Sequence, residues 1–158
     1  MNITVISVGK IKEKYFTAAI DEYSKRLSRF AKLNIIEVAD EKIPDNASEK
    51  EMEQIKEKEG NKILAKLPQN SFVVTLCIEG KEHSSEELAK KIADISMTSS
   101  HITFIIGGSL GLSNTVKSKS ALRLSFGKMT LPQKLMRVVL LEQIYRAFKI
   151  NNNESYHK

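Results

Sequence analysis

Tryptophan is absent from this sequence and cysteine nearly so. A single one, Cys77, stands among 158 residues, which excludes a disulfide framework and a cysteine-built metal site within one chain. Its position inside the apolar run SFVVTLCI reads as a buried, inert thiol rather than a nucleophile. Long apolar runs are missing as well. No stretch approaches the roughly 18 residues of a membrane-spanning helix, and the opening segment MNITVISVGKIKEKYF is too interrupted to be an export signal. A soluble, cytoplasmic protein with no membrane partner is expected. The three histidines, His83, His101 and His157, match no zinc spacing, so no metal is expected. Internal repeats and low-complexity linkers are also absent, and a chain of this length builds one core rather than two. One domain over residues 1–158 is the reading.

What the sequence has in excess is positive charge, +6 overall, and its distribution matters more than its sum. Residues 117–158 carry nine Lys or Arg against Glu142 and Glu154, a balance of +7, which leaves −1 for the first 116 residues. Clustered Lys and Arg replace the counterions condensed on nucleic acid, so a polyanionic partner for the C-terminal quarter is expected. A second basic cluster, Lys10, Lys12 and Lys14 followed by Lys25, Arg26, Arg29 and Lys32, is diluted by Glu13, Asp21 and Glu22.

Strands and helices alternate along the chain. Strand patterns cover residues 3–8, 33–38, 71–78, 102–108 and 122–126, the third an uninterrupted apolar run expected at the centre of a sheet covered on both faces. Between them, Phe16, Ile20, Tyr23, Leu27 and Phe30 mark an amphipathic helix over about 13–30. Ser48 with Glu51 and Ser84 with Glu87 form capping boxes that open two more helices. A short helix follows near 114–120 and a long one runs from about Gln133 to Ile150. The pattern predicts an α/β fold with a largely parallel sheet. The last helix is apolar on nearly every side, from Leu135 through Val138, Val139, Leu140, Leu141 and Ile144 to Phe148, so one face should cover the sheet and another should meet a second copy of the chain in a symmetric homodimer. Glu142 and Arg146, four residues apart, are placed to pair on its polar side.

Two stretches carry candidate chemistry. Gly107, Gly108 and Gly111 follow a strand, where glycine lets a ligand approach the backbone; the spacing is not the dinucleotide fingerprint. The chain finishes in NNNESYHK, which offers an aromatic for base stacking in Tyr156, an imidazole in His157 and a cation for phosphate in Lys158. The asparagines before them suggest an arm free to swing.

GGSLGLS at 107–113, then LSFGKMTLPQKLMRVVLLEQIYRAFKI at 124–150, then the terminal YHK together resemble the RlmH (YbeA-like) family of SPOUT methyltransferases, and the similarity runs the whole length, VGKIKEKYF included. The resemblance implies an α/β sheet whose C-terminal part is threaded into a trefoil knot, a rare exception to ordinary chain topology. It also implies a homodimeric enzyme that moves the methyl group of S-adenosylmethionine to N3 of a pseudouridine in helix 69 of large-subunit ribosomal RNA, on the assembled ribosome. Carried over position by position, the cofactor would lie against Leu76, Gly107 and the loop Phe126, Gly127, Lys128, Met129, Thr130 and Leu131. His157, the one group of the basic region that titrates near neutrality, is the candidate base, with Arg137, Arg146, Tyr156 and Lys158 on the RNA; the alternative is that Tyr156, His157 and Lys158 only grip the RNA and positioning does the rest. The family often has His where this chain has Gln133, which argues against an obligatory imidazole there. A noncatalytic RNA-binding module is the alternative; it explains the charge asymmetry and leaves the glycine loop without a role. A flavin or dinucleotide oxidoreductase lacks its fingerprint.

Overall fold

The structure, a computed structural model, describes residues 1–158. Five strands, β1 (Asn2–Val8), β2 (Lys32–Val38), β3 (Phe72–Glu82), β4 (His101–Ile106) and β5 (Leu122–Ser125), alternate with α1 (Lys14–Leu27), α2 (Glu49–Lys66), α3 (Ser85–Ser96), α4 (Asn114–Ser118) and α5 (Gln133–Asn151). All strand pairs are parallel, in the order β2-β1-β4-β3-β5. Parallel neighbours need crossovers, and the helices supply them. The expected fold class therefore holds.

The pleat separates two cores. Ile3 and Val5 of β1 join Ile102, Phe104 and Ile106 of β4 on the face covered by α1, α3 and α5. Ile6 and Val8 join Ile105 on the face covered by α2 and α4, against Ile63 and Val116. From α5, Leu140, Leu141, Ile144 and Ala147 are buried at helical spacing. Each large one contributes about 1.5–3 kcal/mol relative to exposure, enough to hold the helix whatever its propensity. Its other apolar side chains, Met136, Val138, Val139 and Tyr145, are half-buried and Leu135 is exposed. No helix is long and apolar enough to cross a membrane.

Both capping boxes form: Ser48 and Ser84 accept from the amides of Glu51 and Glu87, whose carboxylates accept from the amides of the two serines. The sheet's centre differs from expectation. It is β4, with β1 and β3 on either side; β3 is interior, but its upper half leaves β4 after Thr75 and continues beside β5. An apolar run reports burial on both faces, and β4 is as apolar as β3. The tail differs too. Asn153 turns back at a φ of 54°, and Tyr156 and His157 pack on the protein instead of swinging free.

Candidate active site

The C-terminal ends of β4 and β5 flank Thr75 and Leu76 in the middle of β3, and this row carries the segments expected to meet a cofactor. Leu76 pairs with Leu124, and Gly107 leaves β4 one strand away. Between Leu76 and Lys81 the register of β3 slips, since both residues face Leu124. At Gly107 a Cβ would lie 2.7 Å from the carbonyl carbon of Gly111, so only glycine lets the loop close on itself there. Beyond β5, Ser125 donates from its hydroxyl to the carbonyl of Gly127 and accepts from the Gly127 amide, both at 3.1 Å. Gly127 has a φ of +122° and open space where a side chain would stand. Lys128, Met129, Thr130 and Leu131 are exposed, and outside the helices and strands no backbone-to-backbone hydrogen bond involves any residue from Phe126 to Leu131. Free amides and carbonyls on a loop pinned at its root suit the edge of a purine ring.

The tail forms a second cluster, on the C-terminal half of α5. Arg146 donates to Glu142 from Nε at 3.0 Å and from Nη2 at 2.5 Å, realising the expected pair. The Tyr156 hydroxyl donates to the same carboxylate at 3.1 Å, its ring stands edge-on to Tyr145 at 4.9 Å, and the Arg146 guanidinium lies 4.8 Å from the Tyr156 ring centre. Glu142 holds the Arg146 pKa above its ordinary value, and burial, with Glu142 alongside, pushes the Tyr156 phenol up. His157 sits between two charged partners: Arg146 Nη1 is 3.0 Å from Nδ1, and Glu86 Oε1 is 2.6 Å from Nε2. Guanidinium has donors only, so Nδ1 is the acceptor and Nε2 carries the proton, which it donates to Glu86. That hydrogen bond draws the exposed Glu86 carboxyl below its ordinary pKa. Lys158 is exposed.

Arg137 belongs to neither cluster, which corrects its expected place on the RNA. It is 2% exposed. Its Nη2 donates to the carbonyls of Val8 at 2.9 Å and Gly9 at 2.7 Å, and Nη1 donates to Glu37 at 2.6 Å. Gln133 accepts from Nε and Nη2 at 3.2 and 3.0 Å. Burial lowers the Arg137 pKa and Glu37 acts against that. The side chain ties the end of β1 and β2 to the first turn of α5, beside a cleft of about 260 Å³ that Ile11, Thr17 and Asp21 also line. Gln133 thus fills a structural position. Cys77 is half-buried, and burial raises its pKa.

Glu59 was not expected inside. It is 5% exposed in a helix whose composition is mostly charged; it accepts from the Glu41 amide at 2.9 Å, and burial, helped by Asp40 and Glu41, raises its pKa. The signal for it is Gly60, whose missing side chain lets Ser113 and Val116 close in on α2.

A family model described as "Predicted SPOUT methyltransferase" matches residues 1–157. The chain belongs to this family. Within it, the chain is 61% identical to the ribosomal RNA large subunit methyltransferase H of Clostridium novyi (strain NT) and 58% identical to that of Clostridioides difficile (strain 630), each over 100% of both chains. Among solved structures it resembles a probable methylase family protein from Haemophilus influenzae Rd KW20, with a TM-score of 0.55 at 14% identity over 99% of this chain and 70% of that one. It also resembles the tRNA (m1G37) methyltransferase from Aquifex aeolicus, with a TM-score of 0.53 at 13% identity over 92% of this chain and 70% of that one.

Proposed function

We propose that the chain is an S-adenosylmethionine-dependent methyltransferase of large-subunit ribosomal RNA, acting on N3 of a pseudouridine in helix 69 of the assembled ribosome in the cytoplasm. The observation that carries this reading is the row of strand ends, where Leu76, Gly107 and the uncommitted loop Phe126–Leu131 stand together. Full-length relatives named for ribosomal RNA large subunit methylation support the substrate class. When bound, the cofactor supplies a sulfonium methyl group for direct transfer. Leu76 and the backbone of Gly107 would wall it, and the free amides and carbonyls from Lys128 to Leu131 would read its adenine.

Methyl transfer to an imide nitrogen needs an in-line approach and loss of the N3 proton. Glu86 fixes the tautomer of His157 that leaves Nδ1 as a lone-pair acceptor, and Arg146 covers that lone pair. In this reading Arg146 turns to an RNA phosphate, Nδ1 takes the N3 proton, and Tyr156 and Lys158 hold the base and backbone. Arg146 stands 13 residues along α5 from Gln133, about 20 Å along the axis at ~1.5 Å per residue, farther than one transfer spans. We therefore propose a two-fold dimer through the half-buried face of α5, with the tail of one protomer facing the cofactor loop of its partner.

The test has two arms. Calorimetry with S-adenosylhomocysteine is expected to show submillimolar binding, and labelled cofactor is expected to methylate ribosomes that lack the modification, with the nucleoside identified by mass spectrometry. Cofactor binding without transfer to RNA would overturn the substrate; no binding at all would favour the noncatalytic module.

A further inference from the structure

The segment Gly9–Tyr15 is clamped from behind and bare in front. Gly9 has a φ of +92° and its amide donates to Val38 at 2.8 Å, while its carbonyl takes the Arg137 guanidinium at 2.7 Å. Ile11 is 7% exposed, and its amide donates at 3.1 Å to the Glu37 oxygen that also receives Arg137. Glu13 accepts from Lys134 at 2.9 and 3.1 Å. The segment is thereby fixed against the first turn of α5, directly after the loop Phe126–Leu131. Its forward side chains are different. Lys10, Lys12 and Lys14 are exposed and make no ion pair or side-chain hydrogen bond, and neither does Lys128 on the neighbouring loop. Tyr15 is 70% exposed, its ring resting against Phe16 at 4.6 Å.

Resting on the reading above, we propose that Lys10, Lys12, Lys14 and Tyr15 form a docking surface for the RNA substrate, the lysines on phosphates and the Tyr15 ring stacked on an unpaired base. Charge complementarity favours RNA as the occupant. Glu13, the one acid in the segment, is neutralised by Lys134, so the local balance seen from outside is three cations and no anion. A pre-fixed backbone means that binding orders only side chains, which favours affinity. An aromatic with one free face beside lysines is the arrangement that holds single-stranded nucleic acid without reading its sequence.

The experiment uses the full-length protein and unmodified ribosomes. Tyr15→Ala is expected to raise the KM for ribosomes about tenfold, in the range of losing one stacked base, with Tyr15→Phe near wild type and cofactor affinity unchanged. Replacing Lys10, Lys12 and Lys14 together by Gln is expected to flatten the slope of log affinity against log salt in ribosome co-sedimentation by about two to three. An unchanged KM and slope would overturn the proposal. So would a weakened dimer in Tyr15→Ala by analytical ultracentrifugation, since the ring would then face a second copy. Co-sedimentation separates this proposal from the function it rests on: lysine-dependent binding without methyl transfer would keep the surface and remove the enzyme reading.

Discussion

The two ends of α5 each carry an arginine, nine residues apart, and the two have opposite fates. At the start of the helix, Arg137 is buried, with every contact going to a carbonyl, an amide side chain or Glu37. Near its end, Arg146 remains partly exposed, paired within its own helix to Glu142 and leaning on the tail through Tyr156 and His157. One arginine joins distant parts of the fold. The other is held ready at the surface. Residue type and helix are the same, so the difference comes wholly from what the tertiary structure brings within reach.

Deleting Tyr156 to Lys158 should break the comparison at its functional end most completely. Methyl transfer is expected to vanish while cofactor affinity by calorimetry and the urea midpoint stay close to wild type; retained turnover would make the tail ornamental. Next in size is Arg137→Met. It leaves the buried carbonyls of Val8 and Gly9 without their donor, at a cost of about 1–3 kcal/mol each, while Glu37, being exposed, is left to water; the loss is read as a lower urea midpoint at unchanged slope. Arg146→Met should show the reverse, turnover falling at least tenfold with the midpoint moving less than in Arg137→Met, because a half-buried pair four residues apart on one helix contributes less than the donors to two buried carbonyls, about 0.3–0.5 kcal/mol in surface helices. If both variants unfold alike, the two arginines are equivalent and the contrast fails.

The smallest effect tests a buried charge that lacks a counterion. Arg137 has Glu37; Glu59 has one amide, two neighbouring acids and Lys62, with which it forms no ion pair. A carboxyl with its folded pKa raised loses nothing below the ordinary glutamate pKa of about 4.3, where both states are protonated. As pH rises through that value the unfolded chain ionises first and the native state loses stability. Glu59→Gln should therefore stabilise the protein at pH 7 by up to about 1 kcal/mol, with the gain shrinking to nothing near pH 4 in thermal melts. A loss of stability at neutral pH would mean the anion is needed.

Local features were legible in the sequence and remote ones were not. Both capping boxes and the Glu142–Arg146 pair depend on residues three or four apart, and they form where the pattern predicts. Arg137 meets Val8, Gly9 and Glu37 across 129, 128 and 100 residues, and nothing near it in sequence announces that. The tail misled for the same reason: asparagines signal a joint, whereas Glu86, 71 residues earlier, and Tyr145 decide that it docks. The apolar run of β3 gave its burial but not its rank in the sheet, because β4 carries the same signal. The glycine turn and the loop from Phe126 to Leu131 were readable only as a combination, each piece being too common to carry a ligand alone.

The helix that closes one side of the core leaves the ribosome after all five strands and the other four helices. Until residues 133–151 emerge, Ile3, Val5, Phe104 and Ile106 lack the cover that Leu140, Leu141 and Ile144 give them, and Glu37 waits for an arginine 100 residues downstream. Contacts of such sequence separation form late and slowly. Between the emergence of β4 and that of α5 the nascent chain thus exposes one apolar face of its sheet, the kind of surface that aggregates when left uncovered, and a chain stopped short of α5 is expected to aggregate rather than persist as a smaller, inactive protein.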